Sequence, residues 1–543
     1  MDFDYDDDQL PDEEYYFDDG EVVAAHDVTL SDLYTNCVVP SLRDGLRAAV
    51  VILPACLLLR TVVSTRLLPV GSAWVHALST LLGICCLYSL VGHLTAYVVG
   101  LALLGTVVLT ALPRHHGLSC ATLVAVFVIA CELWLVEPKS WHQVRGCQLV
   151  LCMKLVSLAI DLDHGRLATP SPVAMLGYLL HVGSAPFGPW IGYDAYARSL
   201  EPELLASLGF WSWLRALGQS LVLCYTCLTV SNCWSTWLLS NTLGLRQAVC
   251  SNVLCSMLLL TMRDKNDGMP CSCWEQCQLE VIAFSVVLCQ VHQQALSVPT
   301  LATKLCFLGA EVTGKLCIEL NLRNQLCRWL AAYRDALSFR FSHYFVTFLS
   351  EASAVASGVS YEGSWALQLC SPLEVELPRS LVQVVVHWNR AMHNWLKHYV
   401  FQVTRPHLGS LGALLLTYAT SALLHGLNFQ LAAVLLSLAL YSYAEHVLRQ
   451  KLSQVYDACI GARPCRPSCD KHKLRADQWG VRSANLALGL LAAFHLAYLG
   501  LMFDSEPLQE QGYSMQHTLG KWSELQFASH WVALATFVIH LLI

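Results

Sequence analysis

A histidine and an asparagine in the last third of the chain have side chains that could activate a hydroxyl and stabilise an oxyanion. His425 ends an apolar stretch and precedes Gly426, in the sequence TYATSALLHGLNF. A neutral imidazole can take a proton from a hydroxyl, and general-base catalysis of this kind contributes roughly 10²- to 10⁴-fold in rate. An ionisable group at membrane depth is costly and is therefore a functional candidate. The alternative is a buried histidine whose ring is satisfied by one neighbour.

Asn389 lies 36 residues upstream of His425, in the sequence VVVHWNRAMHNWLKHYVF. Its side-chain amide could donate to a developing oxyanion or hold a thioester carbonyl. The separation is too long for a contact within one helix, but a single helix hairpin spans it. The alternative is a residue that caps a helix end or bonds within a loop. The spacing alone leaves both interpretations open.

These residues lie in a chain that is too apolar for an aqueous surface. Of its 543 residues, 55% are hydrophobic and 13% are charged, whereas an ordinary globular domain has about 25% charged residues. The apolar surplus cannot be covered by the polar shells of small domains, so lipid is the expected solvent. The net charge of −7 and the lack of a clustered basic face argue against nucleic acid as a partner.

We predict an all-α fold, a multi-pass bundle of about 9 to 12 transmembrane spans, because a bilayer core about 30 Å thick needs roughly 20 residues of helix. Two candidate segments, 147–161 and 173–191, are short or broken and are expected to line a cavity inside the protein. The full set of candidate spans is 46–64, 73–91, 93–112, 119–136, 147–161, 173–191, 218–240, 279–298, 340–356, 409–427, 429–448, 483–503 and 528–543.

The chain divides into an acidic tail and one membrane domain. Residues 1–45 are predicted to be a disordered tail, since the first 21 residues hold eleven acidic side chains and no Lys or Arg. Residues 46–543 form the predicted membrane domain. The loop 449–482 holds eight Lys or Arg against three acidic residues, so the positive-inside tendency places it in the cytosol. His425, one span earlier, is then expected toward the opposite side.

The sequence around Asn389 and His425 resembles a signature of the membrane-bound O-acyltransferases, in which Trp-Asn precedes an apolar helix that ends in His-Gly. The resemblance covers roughly residues 30–230 and 325–543, and the longer stretch around 230–325 and the acidic start are similar to insect-type members. The segments that carry it further are SWHQVRG (140–146), DLDHG (161–165), PSPV (170–173), FGPWI (187–191), SFRFSHYFVTFLSEA (338–352), VELPRSLV (375–382), YAEHVLR (443–449), HLAYLG (495–500) and KWSEL (521–525).

What the resemblance implies is a protein-serine O-palmitoleoyltransferase with an internal catalytic tunnel. Such an enzyme transfers a palmitoleoyl group from palmitoleoyl-CoA to a serine of a Wnt protein, in the endoplasmic reticulum membrane, and enables Wnt secretion and signalling. The family's essential histidine falls on His425 and its active-site asparagine on Asn389. The implied partners are Wnt proteins, palmitoleoyl-CoA as the acyl-donor substrate and the lipid bilayer, with no separate cofactor.

Five neighbouring residues are weaker candidates for substrate binding. Trp388 and Trp395 could wall an acyl tunnel, although aromatic residues at membrane depth also serve as packing or interface anchors. Arg379, Arg390 and Lys397 could pair with CoA phosphates. The alternative for each of these three cations is a charge on a solvated loop.

A cysteine and histidine cluster in the loop 449–482 suggests zinc by its spacing. Cys465, Cys469 and His472 lie in the sequence CRPSCDKH, but a structural zinc site needs four ligands. The nearest further candidates, Cys459 and Asp470, lie at no familiar spacing, so we predict no metal centre. A disulfide is not expected there either, because cytosolic thiols are kept reduced.

Two other functions remain as alternatives. A transporter or channel would use buried polar residues to bind a solute and would show internal repeats with paired broken helices, which the sequence does not show. A related acyltransferase with another lipid or protein acceptor would keep Asn389 and His425 but would lack the additional segments that resemble the Wnt-acylating members.

Overall fold

The helices of this protein account for nearly all of its regular structure. A computed structural model describes residues 30–543 except 70–71, 113, 236–328, 330–331, 467–468 and 504–514. Among these residues there is no β-strand, only two isolated bridges, Tyr361 with Ser364 and Ala458 with Leu474. The predicted all-α class is therefore confirmed.

Nineteen helices are named here in chain order. They are α1 (Leu30–Leu33), α2 (Val39–Ser64), α3 (Ala73–Val91), α4 (Thr95–Ala111), α5 (His116–Ala130), α6 (Pro138–Asp163), α7 (Pro172–Leu179), α8 (Tyr193–Ser199), α9 (Leu204–Leu208), α10 (Phe210–Thr229), α11 (332–356), α12 (Pro372–Glu376), α13 (Leu381–Trp388), α14 (Arg390–Leu396), α15 (Gln402–Leu424), α16 (Phe429–Val455), α17 (Trp479–Gly500), α18 (Met515–Glu524) and α19 (Ala528–Leu542). π-Helical turns adjoin several of them, at Tyr34–Val38, Cys131–Leu135, Val230–Trp234 and Lys397–Phe401.

Six helical segments of the described chain are long and apolar enough to cross a membrane, or seven if α18 and α19, bent by 73°, form one span. Fewer segments qualify than the 9 to 12 spans predicted. One reason is that the predicted span 279–298, and part of 218–240, lie outside the described residues. Another is that two predicted spans, 73–91 and 93–112, join into the single segment Ala73–Ala111. The protein is nevertheless a multi-pass membrane protein.

Two predicted boundaries need correction. Residues 30–45 were assigned to the acidic tail, but they are helical and run without a break into α2, giving the span Leu30–Ser64. Residues 1–29, and the insertion around 230–325 from residue 236 onward, lie outside the described residues. The candidate span 147–161 is neither short nor broken, because it lies within the continuous helix α6. The span 173–191 is broken as predicted, since α7 ends at Leu179 and residues 180–192 form turns and irregular chain.

A buried lysine explains how the irregular chain after α7 is held inside the bundle. Lys154, on α6, is fully buried. Its ammonium group donates to the Ser184 hydroxyl at 2.7 Å and to the carbonyls of Tyr178 and Leu179 at 3.0 and 3.4 Å. These two carbonyls belong to the C-terminal end of α7, which has no following helical turn to satisfy it. The lysine is therefore a side-chain cap for a helix that ends inside the protein.

A buried ion pair ties α16 to the start of α13. Arg449 is fully buried and its guanidinium lies 2.6 Å from the Glu445 carboxylate. Glu445 accepts from the main-chain N–H of Leu381, the first residue of α13, at 2.7 Å. Arg449 donates to the carbonyl of Ile460 at 3.0 Å and also to that of Arg379. The pair thus fixes the helix that leads to Asn389.

A disulfide marks the end of the bundle opposite the loop 449–482. Cys37 and Cys233 are joined, linking the first span to the end of α10. The start of α16 lies at the same end, and its other end enters the loop. This placement follows from contacts of Ser231 with Ser338, Phe339 with Phe503, and Gln430 with Met502.

Candidate active site

His425 lies in the short turn between two membrane-spanning helices. Its main-chain N–H bonds to the carbonyls of Ser421 and Ala422 at the end of α15. Asn428 starts α16, because its side-chain oxygen accepts from the N–H of Gln430 at 2.9 Å. Gly426 adopts φ of +94°, a conformation that glycine reaches without steric cost. The sequence His-Gly-Leu-Asn therefore ends one helix and starts the next, with the imidazole at the turn.

A carboxylate from another helix holds this turn in place. Glu132, in the π-helical stretch Cys131–Leu135, accepts from the main-chain N–H of Leu427 with both oxygens, at 2.8 and 2.7 Å. A Cβ atom at Gly426 would lie 2.9 Å from the same carboxylate. Glycine is thus required by close approach as well as by the backbone angle.

Two further basic side chains lie near His425. Arg145 of α6 and His343 of α11 are both close enough to interact electrostatically with it. Arg145 also interacts with Glu132. A nearby cation disfavours a second positive charge, so the surroundings favour the neutral imidazole that a general base requires. His425 is partly buried.

Asn389 forms the break between α13 and α14. Its side-chain oxygen accepts from the N–H of Met392 at 3.0 Å and so caps α14. The alternative that Asn389 caps a helix end is therefore correct for its side-chain oxygen. The side-chain nitrogen has no bonded partner among the described residues, and it remains as the donor that the catalytic interpretation needs.

The ring of His343 connects the two predicted residues. It stacks on Trp388, the neighbour of Asn389, with ring centroids 4.5 Å apart and planes at 15°. His343 also interacts with His425. Its Nε2 atom is buried and has no hydrogen-bond partner in the described part of the chain. His343 thus links His425 to Trp388, the residue that precedes Asn389.

The remaining candidates differ in their surroundings. Trp388 is half-buried beside His343, whereas Trp395 is buried and donates to the carbonyl of Met153 at 2.9 Å, so it is part of the helix packing rather than exposed to a tunnel. Lys397 is exposed at the end of α14.

The two arginines serve structural contacts. Arg379 donates to the carbonyls of Cys459 and Gly461 at 2.8 and 3.1 Å, and burial, followed by the charge of Arg449, lowers the pKa of its guanidinium. Arg390 donates to the Gln368 side chain at 3.0 Å and lies within 3.0 Å of the His387 ring. Phosphate binding by either arginine would have to compete with these partners.

Sequence reasoning missed three residues of this site: Glu132, Arg145 and His343. A signal existed for each. Glu132 is an acidic residue inside the predicted apolar span 119–136, where a charge by itself indicates function. Arg145 and His343 lie in the segments SWHQVRG and SFRFSHYFVTFLSEA, which carried the family resemblance without a role being given to either residue.

Comparison with known proteins finds similar membrane acyltransferases. The family model for the membrane-bound O-acyltransferases matches residues 275–454, a range that includes Asn389 and His425. The chain is 36% identical over 523 residues to "Protein-serine O-palmitoleoyltransferase porcupine" of Homo sapiens, covering 94% of this chain and 97% of the relative.

Two other relatives are less similar or match a shorter part of the chain. The porcupine protein of Anopheles gambiae is 27% identical over 568 residues, covering 98% of this chain and all of the relative. Identity is thus higher to the human than to this insect relative, and it does not by itself single out an insect-type member. Lysophospholipid acyltransferase 2 of Arabidopsis thaliana is 32% identical over 108 residues, which is 18% of this chain.

Proposed function

This chain belongs to the membrane-bound O-acyltransferase family, in its porcupine group of protein-serine O-palmitoleoyltransferases, and we propose that it transfers a palmitoleoyl group from palmitoleoyl-CoA to a serine of Wnt proteins. The similarity over 94% of the chain to a protein of that name supports the reaction. The observation that supports the assignment of residues is that His343 stacks on Trp388, the neighbour of Asn389, and interacts electrostatically with His425.

In the proposed mechanism His425 takes the proton of the serine hydroxyl as its oxygen attacks the thioester carbonyl. The carbon–oxygen bond forms, and the side-chain N–H of Asn389 donates to the negatively charged carbonyl oxygen. As the carbon–sulfur bond breaks, the CoA sulfur leaves as a thiolate and takes the proton back from His425. The products are a serine ester and CoA, so no additional reactant is needed.

The arrangement of the bundle suits two substrates from different compartments. Acyl-CoA is made in the cytosol and a secreted acceptor folds in the lumen, so the thioester and the serine have to meet within the membrane protein. The positive-inside tendency places the loop 449–482 in the cytosol. The disulfide of Cys37 and Cys233 lies at the opposite end, and disulfides persist in the oxidising lumen. These features support our proposal that the protein works in the endoplasmic reticulum membrane, the location that the similarity to the porcupine group implies.

Microsomes that contain this protein provide the test. They are supplied with palmitoleoyl-CoA and a disulfide-bonded Wnt hairpin peptide with its acceptor serine, and serine acylation is followed by mass spectrometry. His425→Ala is expected to abolish acylation. His407→Ala is the matched control, because His407 is an exposed histidine of the preceding helix α15. Turnover near the wild-type value in His425→Ala, at equal protein level, would exclude His425 as the base.

A lipid acceptor is the second candidate, because a short part of the chain resembles lysophospholipid acyltransferases. The same microsomes are supplied with palmitoleoyl-CoA and a lysophospholipid in place of the peptide. Acylated lipid that depends on His425, without acylated peptide, would keep the mechanism and replace the acceptor.

A further inference from the structure

The loop between α16 and α17 brings together four side chains that suit a metal ion. The sulfur atoms of Cys459, Cys465 and Cys469 and a ring nitrogen of His472 all lie within 4.8 Å of one another. The spacing of Cys459 in the sequence is not one typical of zinc sites, and the sequence by itself therefore predicts no metal centre. The fold supplies this cysteine. The Cys459 N–H donates to the carbonyl of Leu474 and the Leu474 N–H donates to that of Asp457, around a parallel bridge of Ala458 with Leu474, which places Cys459 beside His472. Asp470, the other candidate ligand, pairs with Arg475 instead.

The distances within this cluster match a tetrahedral centre. Zinc bonds cysteine sulfur at about 2.3 Å and histidine nitrogen at about 2.0 Å, so a sulfur and a nitrogen on one tetrahedral ion lie about 3.5 Å apart. The Nδ1 atom of His472 lies 3.6 Å from Cys459 Sγ, 3.6 Å from Cys465 Sγ and 3.4 Å from Cys469 Sγ. The three nitrogen–sulfur distances therefore fit one tetrahedral ion bound by all four side chains.

The hydrogen bonds around His472 leave the correct nitrogen free to bind a metal. The Ser453 hydroxyl donates its proton to the carbonyl of Ala458 at 2.7 Å. The Nε2 atom of His472, 3.1 Å from the same hydroxyl, must then be the donor to the Ser453 oxygen. Nδ1 consequently carries the lone pair, and it faces the three sulfurs. Metal-binding histidines generally have their other ring N–H bonded in this way.

Charge and compartment also favour this site. Three thiolates and one zinc ion carry a net charge of −1, and the loop 449–482 holds eight Lys or Arg against three acidic residues, which offset it. The three cysteines are free thiols in the structure. The loop is the end of the bundle assigned to the cytosol, where thiols stay reduced.

We propose that Cys459, Cys465, Cys469 and His472 bind one structural zinc ion. All four positions around the ion come from the protein, so no position is open for a substrate or water. The ion holds the segment 458–462 in place, and Arg379 and Arg449 donate to the carbonyls of this segment. The ion therefore stabilises the segment that anchors the start of α13. Asn389 follows the other end of this helix.

The test measures metal bound to the full-length protein, purified in detergent without chelators. Plasma mass spectrometry is expected to find about one zinc per chain in the wild type, and Cys469→Ser and His472→Gln are expected to lose it. Cys85→Ser is the matched control, because Cys85 is a free cysteine on α3 outside the cluster, and it is expected to keep the full zinc content.

A second measurement uses the wild type alone, in case the variants do not fold. Maleimide labelling of Cys465 and Cys469 is read by peptide mass spectrometry before and after a zinc chelator, and labelling is expected only after chelation. Well-folded wild type without a stoichiometric transition metal, equal labelling in both conditions, or a disulfide within the cluster would each overturn the proposal. Metal content is independent of acyl transfer, so failure of the proposed reaction leaves this result unaffected.

Discussion

Glu132 holds the turn that carries His425 without being placed to touch a substrate, and Glu132→Ala should therefore impair catalysis through position alone. The carboxylate accepts from the Leu427 N–H with both oxygens at 2.8 and 2.7 Å. A hydrogen bond to a charged group contributes about 1.5–3 kcal/mol, and 1.36 kcal/mol corresponds to tenfold in rate. If the whole of this free energy is lost from the stabilisation of the transition state at His425, kcat falls roughly 10- to 100-fold.

The assay is peptide acylation in microsomes at varied palmitoleoyl-CoA, with the amount of folded protein determined separately. KM for palmitoleoyl-CoA is expected to change less than kcat. Glu132→Gln keeps one acceptor oxygen and should lose less activity. Glu137→Ala is the control, because Glu137 is an exposed acid five residues further along. If Glu132→Ala stays within about twofold of the wild-type kcat, the Leu427 contact does not position His425, and the reasoning fails.

Three further substitutions test the site and the fold. Asn389→Asp keeps an oxygen to cap α14 but removes the N–H donor, so turnover should fall about 10²- to 10³-fold with an unchanged unfolding temperature; unchanged turnover would contradict the oxyanion role. Gly426→Ala forces a side chain to φ of +94°, at a cost of about 1–2 kcal/mol, and should lower both turnover and the thermal unfolding midpoint. Lys154→Met leaves buried acceptors unpaired at about 1–3 kcal/mol for a buried group, which should lower the unfolding midpoint in detergent, whereas half-buried Lys451→Met should not.

The sequence was sufficient for the fold class, and it singled out the two residues that we propose for catalysis. His425 stands out as a polar side chain at the end of an apolar stretch, and a resemblance attaches roles to both His425 and Asn389. Glu132 and His343 could not be joined to them, because their contacts depend on how distant helices pack. Cys459 shows the same limit: its link to His472 exists only once the chain pairs Ala458 with Leu474.

The helical content was easier to predict than its interruptions. Mean apolarity identifies a segment such as 173–191, but it does not show that α7 stops at Leu179. That stop depends on an ammonium group supplied by α6, 24 and 25 residues earlier in the chain. Local propensity carries no information about such a partner.

The buried ammonium of Lys154 also has a consequence for how the chain enters the membrane during synthesis. When α6 first leaves the ribosome, the carbonyls and the hydroxyl that Lys154 later binds, 24 to 30 residues further on, are still inside the ribosome and cannot pair with the ammonium group. A lysine at the centre of an inserting helix costs about 2.5–3.5 kcal/mol. We therefore expect α6 to be a weak insertion signal by itself and to settle in the bilayer only together with the segment that contains α7.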